Sequence, residues 1–301
     1  MISRRSVLFT LPAALAHAAT ASRRVAIVFP SALEPCAEAV EGLRVRLSEG
    51  DFSVDLLDVS KASYTTEVAQ EMARRPAVMV AVGSDAVRAL PAQSSLSITI
   101  STMTLQADHT AGQASGKAHT AVYLDIPVRV LFAELRKLFA DKTRVGIIRN
   151  PSRGDPSAAQ LRSQGPEMNS LQVADCAAPD ELLPAFLSLR KKVDFVICLP
   201  DGSLYNGATA RPLIMASLEN RLPIVGFSPA FLRAGAAVAI YPDYRGIGEQ
   251  TADLVRRCLE PGDCAASEGP KRVKVAVNGK ILRMLGIEFA AASHPDVVIL
   301  R

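Results

Sequence analysis

The chain has no tryptophan, only four histidines, aromatic residues at 5%, and almost no net charge, with 34 Lys and Arg against 30 Asp and Glu in 301 residues. Each scarcity argues against a class of function. With so few rings there is no platform on which single-stranded bases would stack. With positive and negative charge nearly cancelling, the concentrated basic face of a nucleic-acid binder is missing too. Four of the first 24 residues are arginines, so the body of the protein is closer still to neutrality. Histidine is sparse, and beyond the first 21 residues only His109, His119 and His294 remain, none near a second ligand type. No metal site, cofactor or catalytic group is therefore assigned.

What is present is apolar: 49% hydrophobic and 21% charged residues suit one large or two medium domains with proper cores. Residues 1–21 read as a secretory leader, with Arg4 and Arg5, an apolar stretch from Val7 to Ala16, and then small residues. The apolar stretch is half of the roughly 20 residues that a membrane-spanning helix needs. Export with removal of the leader is expected, leaving no membrane span. Ala16-His17-Ala18 and Ala19-Thr20-Ala21 are alternative cleavage sites, and Ser3-Arg4-Arg5 also resembles a twin-arginine export signal.

Five cysteines in an exported chain need an account. Cys258 and Cys264 bracket a turn-forming loop behind a predicted helix and are the disulfide candidates in an oxidising compartment. Cys198 lies inside an apolar strand, as a small core residue does. Cys36 and Cys176 have no spacing partner that suggests chemistry.

β-branched runs followed by amphipathic stretches recur at Val25–Phe29, Ser53–Leu57, Val78–Val82, Val145–Arg149, Phe195–Leu199 and Ile224–Phe227. Strands alternating with helices predict an α/β fold of parallel sheets covered on both faces. Ile247, Thr251, Leu254, Val255 and Cys258 fall on one face of a 3.6-residue period. Pro127 and Pro156 sit near predicted helix starts. From Thr102 to His119 aliphatic periodicity lapses, which marks a linker or lid and divides the chain near residue 120 into two α/β halves with a cleft between them. Ligands in such folds sit beyond the carboxyl ends of strands. The residues just after each strand are therefore the candidate ligand-binding set: Phe29, Ser31, Ser84, Asp85, Thr102, Asn150, Asp201, Asn206, Phe227, Ser228 and Tyr241. Ser84 either caps its helix or offers a hydroxyl to an anion. Asp201 either makes an Asp-Gly turn or holds an ammonium group. Asn206 is a cap or a ligand amide, and Phe29, Phe227 and Tyr241 are core residues or the walls of an apolar pocket.

Five segments together resemble the ABC-transporter substrate-binding protein family with the type I periplasmic binding fold, whose members include proteins assigned to tryptophan and tyrosine uptake. They are Val78 to Val87 (VMVAVGSDAV), Val193 to Asp201 (VDFVICLPD), Pro223 to Ala236, Tyr241 to Ala252 (YPDYRGIGEQTA) and Val277 to Ile287 (VNGKILRMLGI). The resemblance implies two Rossmann-like lobes with parallel sheets, joined by three crossings: residues 22–121 with 243–272, and 122–242 with 273–301. It also implies a ligand held by the loops of Gly83-Ser84 and Leu199-Pro200-Asp201. The family more usually has Gly-Thr where this chain has Gly83-Ser84, and Thr99 to Thr104 replaces a run that usually ends near Asp-Pro.

The function so implied is solute capture by hinge closure in the periplasm for an ABC-type importer, with an amino acid or related small carboxylate as ligand. The expected partners are that small molecule and a membrane permease, with no nucleic acid, and the chain is expected to act as a monomer. One alternative is a periplasmic ligand-sensing subunit of a signalling receptor. Another is a cleft enzyme such as a racemase, which would need facing thiols such as Cys36 and Cys198.

Overall fold

The computed structural model describes residues 23–90, 98–108, 119–142, 144–153, 155–164, 170–261, 264, 266–290 and 294–300. Residues 1–22, on which the expected leader and its cleavage sites fall, His109, and most of the stretch read as a linker lie outside the described residues.

Two sheets organise the chain. The first has the order β2-β1-β3-β4-β5, formed by β1 (Arg23–Phe29), β2 (Phe52–Asp58), β3 (Val78–Val82), β4 (Ile98–Thr104) and β5 (His119–Tyr123), all parallel. The second has the order β12-β11-β10-β9-β8-β6-β7. Its strands are β6 (Val145–Arg149), β7 (Gln172–Asp175), β8 (Phe195–Cys198), β9 (Ile224–Gly226), β10 (Val238–Pro242), β11 (Val273–Asn278) and β12 (Val298–Leu300). Among the described residues only the β10–β11 pairing is antiparallel. The fold is thus α/β with two mostly parallel sheets.

Alternation along each strand divides the core by face. Val25 and Ile27 of β1 point into a cluster with α1 (Glu34–Leu47) and α9 (Tyr244–Leu259). Ala26 and Val28 point the other way, toward α2 (Tyr64–Ala73) and α3 (Ser84–Ala89). In the second sheet Ile147, Phe195 and Ile197 face α4 (Val128–Leu138) and α10 (Gly279–Leu285). Ile148, Val196 and Cys198 face α6 (Leu182–Ser188), α7 (Ala210–Glu219) and α8 (Pro229–Ala234). The short α5 (Ala158–Arg162) starts from a capping box in which Ser157 and Gln160 satisfy each other's backbone N–H.

Helix α1 follows from its sequence: a proline and Glu34 in the first turn, Arg44 and Arg46 in the last, and Cys36, Ala39, Val40, Leu43 and Leu47 on the buried side. In α9 the face read from periodicity, Ile247, Thr251, Leu254, Val255 and Cys258, is buried. The two helices cross in backbone contact. A Cβ on Gly248 would lie 1.9 Å from the Ala39 carbonyl oxygen, and one on Gly42 2.2 Å from that of Arg245. Behind α9, Cys258 and Cys264 form a disulfide with Cα atoms 4.3 Å apart.

One expectation needs correction. Thr102 does not begin a linker: β4 continues to Thr104, and Thr102 is fully buried. Its run of hydroxyl residues hides the strand from an aliphatic search, yet Thr99, Ser101, Thr102 and Thr104 are all interior. The chain leaves the first sheet after β5, at residue 124. It returns through α9 and crosses again before β11. That last crossing is stitched to the edge of β5, where Glu268 N–H donates to Ala121 O and Tyr123 N–H donates to Glu268 O, both at 2.9 Å.

Candidate functional site

The parallel strands of both sheets end in loops that meet where the chain crosses between sheets. At the end of β6, Asn150 is buried, and its side-chain amide donates to Asp201 Oδ2 at 2.8 Å. Asp201, just past β8, is 3% exposed, and its Oδ1 accepts from the backbone N–H of Ser203 at 2.7 Å and the Ser203 hydroxyl at 2.6 Å. Burial by itself would raise the pKa of this carboxyl. The bonds from Ser203 and Asn150, with the Arg153 charge nearby, outweigh burial and keep Asp201 below the usual carboxylate range.

Arg153, at the end of the 3-10 turn Pro151–Arg153, places Nε 3.8 Å from Asp201 Oδ1 and donates from Nη2 to Asp108 Oδ1 at 2.5 Å. Asp108 follows β4, beyond a bulge at which Met103 takes a positive φ of 58°. Asp155 accepts the Asn150 N–H at 2.7 Å, and Asp125 accepts that of Gln106 at 2.7 Å. Both carboxyls are pushed up, by burial first and then by neighbouring aspartates. A small apolar cavity of about 30 Å³ lies beside this cluster, among Leu124, Ile126, Leu199, Phe227 and Pro242. A larger one of about 620 Å³ opens beside Arg144, Asp194 and Pro223, at the opposite end of the second sheet and away from these loops.

This placement, with polar loops from two sheets meeting over a crossing, is the setting in which the comparisons with known proteins are informative. The profile described as ABC transporter substrate binding protein matches residues 24–292. The chain belongs to that family. No curated protein matches the sequence. Among solved structures, a ligand-free, open substrate-binding protein with adhesive properties from Clostridium difficile is similar at TM-score 0.70 and 12% identity, over 93% of this chain and 99% of that one. An ABC domain in complex with L-Trp from Streptococcus pneumonia gives 0.61 and 14%, over 93% and 100%. A conserved domain protein from Vibrio cholerae gives 0.60 and 18%, over the same shares. At these identities the likeness is one of fold, and the fold is that of type I periplasmic binding proteins.

In this substrate-binding protein the other sequence-selected residues take distinct positions. Ser31 donates its N–H and hydroxyl to the two oxygens of Asp58, at 3.1 and 2.5 Å, tying the loops after β1 and β2. Burial works to raise Asp58, but the bonds from Ser31 and Ser60 hold it down to about 2. Phe29 packs against the core from the end of β1. Ser84 opens α3 after Gly83, whose φ of 88° suits glycine, and the Ser84 hydroxyl is without a partner among the described residues. Asp85 pairs with Arg88 on the same helix.

Thr102 accepts the Thr251 hydroxyl at 2.9 Å inside the core. Asn206 is exposed, and its Oδ1 accepts the Ala208 N–H at 2.9 Å. Ser228 caps α8 by accepting the Phe231 N–H at 3.2 Å. Phe227 stands 5.6 Å from the Tyr205 ring and 5.1 Å from that of Phe231 while it lines the small cavity. Tyr241 is buried beside Tyr244 at the second crossing, ring centroids 5.8 Å apart.

The structure therefore brings Asn150 and Asp201 into one network. Reading single strand ends missed Arg153, Asp155, Asp108 and Asp58. The dense polar run Asn150-Pro151-Ser152-Arg153 was a visible signal, and Asp58 ends a strand just as the chosen residues do.

The thiols are held protonated. Burial, with the Asp85 charge, pushes Cys36 up to about 11, and burial pushes Cys198 up to about 12 against a small opposing contribution from Tyr205. No described helix is long and apolar enough to cross a membrane.

Proposed function

We propose that the protein is exported to the periplasm behind the leader 1–21 and captures a small solute between two lobes, an amino acid or related small carboxylate, for delivery to an ABC-type importer permease. The lobes are residues 22–121 with 243–272, and 122–242 with 273–301, closing about the crossings. Asp201 carries this reading. It is an ionised carboxylate at the end of a strand, fixed by Asn150 and Ser203 beside Arg153, whose other partner is Asp108 on a loop of the first sheet. Such a group is suited to an ammonium. The Ser84 hydroxyl stands on the first sheet, and Phe227 and Leu124 present apolar surface beside the cluster.

A micromolar solute needs about −8 kcal/mol in total. A few charge-assisted bonds at about 1.5–3 kcal/mol each, with one buried apolar group, supply that after ordering costs. Contacts made with both lobes favour the closed state by differential affinity.

The test is a thermal-shift screen against amino acids, short peptides, sugars and small carboxylates. A ligand at 100 times its dissociation constant stabilises by about 2.7 kcal/mol, or several degrees. Asp201→Asn keeps the bonds from Ser203 and removes the charge, so an ammonium-bearing ligand should bind at least about tenfold more weakly. Unchanged affinity would rule out Asp201 as a ligand.

A further inference from the structure

We propose that Arg153 recognises a carboxylate on the solute and that Asp108 is its resident competitor, occupying the guanidinium until the solute arrives. This rests on the solute-binding reading above and adds the chemistry of one subsite. Arg153 comes from the second sheet and Asp108 from a loop of the first. Among the described residues theirs is the one side-chain ion pair joining loops at the carboxyl ends of the two sheets.

The two aspartates beside Arg153 are unequal. Asp201 is nearly sealed and already accepts three hydrogen bonds, and at 3.8 Å the guanidinium stands beside it without bonding to it. Asp108 is 38% exposed in its side chain and takes a single bond from Nη2. A guanidinium presents a planar fork that binds a carboxylate through two parallel bonds. A solute carboxylate that fills the fork therefore outbids the single contact.

Charge favours the exchange. Asp108, Asp125, Asp155 and Asp201 all act on this one guanidinium or on one another, and crowding with burial already pushes Asp125 and Asp155 up. The incoming carboxylate takes the place of the departing one, and the ammonium carried beside it adds the positive charge that eases this acidic crowding. The positions also match an α-amino acid, whose ammonium and carboxylate are carried on neighbouring atoms. The first meets Asp201 and the second meets Arg153.

The two halves of the pair then respond with opposite signs. Calorimetric titration of the wild type, Arg153→Gln and Asp108→Asn with the standard L-amino acids, and with the carboxamide of each one that binds, reads this directly. Arg153→Gln should weaken the amino acid by about tenfold to a hundredfold and leave the carboxamide unchanged. Asp108→Asn should tighten the amino acid by up to about fivefold, the scale of a partly exposed ion pair. Thermal melts of both variants check that they are folded.

If Asp108→Asn weakens binding as Arg153→Gln does, the pair is a strap between the sheets and the proposal fails. It fails equally if Arg153→Gln weakens acid and amide alike. If no amino acid binds the wild type, the amino-acid ligand falls and takes this proposal with it, while the wider solute reading is judged by the thermal-shift screen.

Discussion

Gly248→Ala tests the closest contact in the fold. The added Cβ would stand 1.9 Å from the carbonyl oxygen of Ala39, 2.7 Å from Leu43 N and 2.8 Å from the Ala39 carbonyl carbon. All three are backbone atoms of α1, so no side chain can rotate out of the way. Ordinary contact distances of about 3.5 Å would be restored only if α1 and α9 moved apart by roughly 1–2 Å. The faces they share are the heart of the first core: Ala39, Val40 and Leu43 on one helix, Ile247, Thr251, Leu254 and Val255 on the other. A radial gap of about 0.5–1 Å already forfeits a quarter to a half of each contact's attraction. Overpacking of this kind costs about 1–3 kcal/mol, and rigid backbone on both sides puts it at the upper end. Replacing a helix-interior glycine returns about 1 kcal/mol of propensity. The net loss is about 2 kcal/mol, which lowers Tm by about 3–4 °C in a chain of this size. Gly207→Ala is the control, since nothing lies within 4 Å of its added Cβ and its φ is not positive. Thermal denaturation followed by circular dichroism reads both. Should Gly248→Ala melt together with Gly207→Ala and the wild type, the backbone contact between the helices is wrong, and so is the seating of α9 on the first sheet.

Acid titration provides a second check. The folded pKa of Asp58 is lowered from 3.8 to about 2, so its stabilisation is fully present above about 4 and is lost as pH falls through 2. Ser31→Ala should move the Asp58 carboxyl resonance in an NMR titration back toward the ordinary range, and an unmoved midpoint would refute the Ser31–Asp58 link. Thiol chemistry provides a third. Cys36, Cys176 and Cys198 are buried and raised in pKa, so native protein at pH 8 should resist a disulfide reagent such as DTNB, while protein unfolded in guanidinium reacts at all three. Rapid reaction of the native protein would reopen the thiol-enzyme reading.

Local pattern carried much of the architecture. Runs such as Val78–Val82 and Phe195–Cys198 are buried on both faces, and only a strand in the middle of a parallel sheet needs that composition. The spacing of Ile247 to Cys258 reported the buried side of α9, because burial and helical period are the same fact seen twice. β4 was legible only in part. Its Thr and Ser residues pair within the interior, as Thr102 does with Thr251 across 149 positions of chain, and no local window contains that partner.

The site divides in the same way. The sequence by itself determined the alternating strand and helix units, the strand ends at which polar residues collect, and hence Asn150 and Asp201 as candidates. Only the tertiary structure decided that these two share one hydrogen bond, that Thr102 and Tyr241 lie in the core, and that Arg153 reaches Asp108 from the other sheet. Propensity and periodicity act over a few residues, whereas each of those facts depends on where two distant loops meet once both sheets are packed.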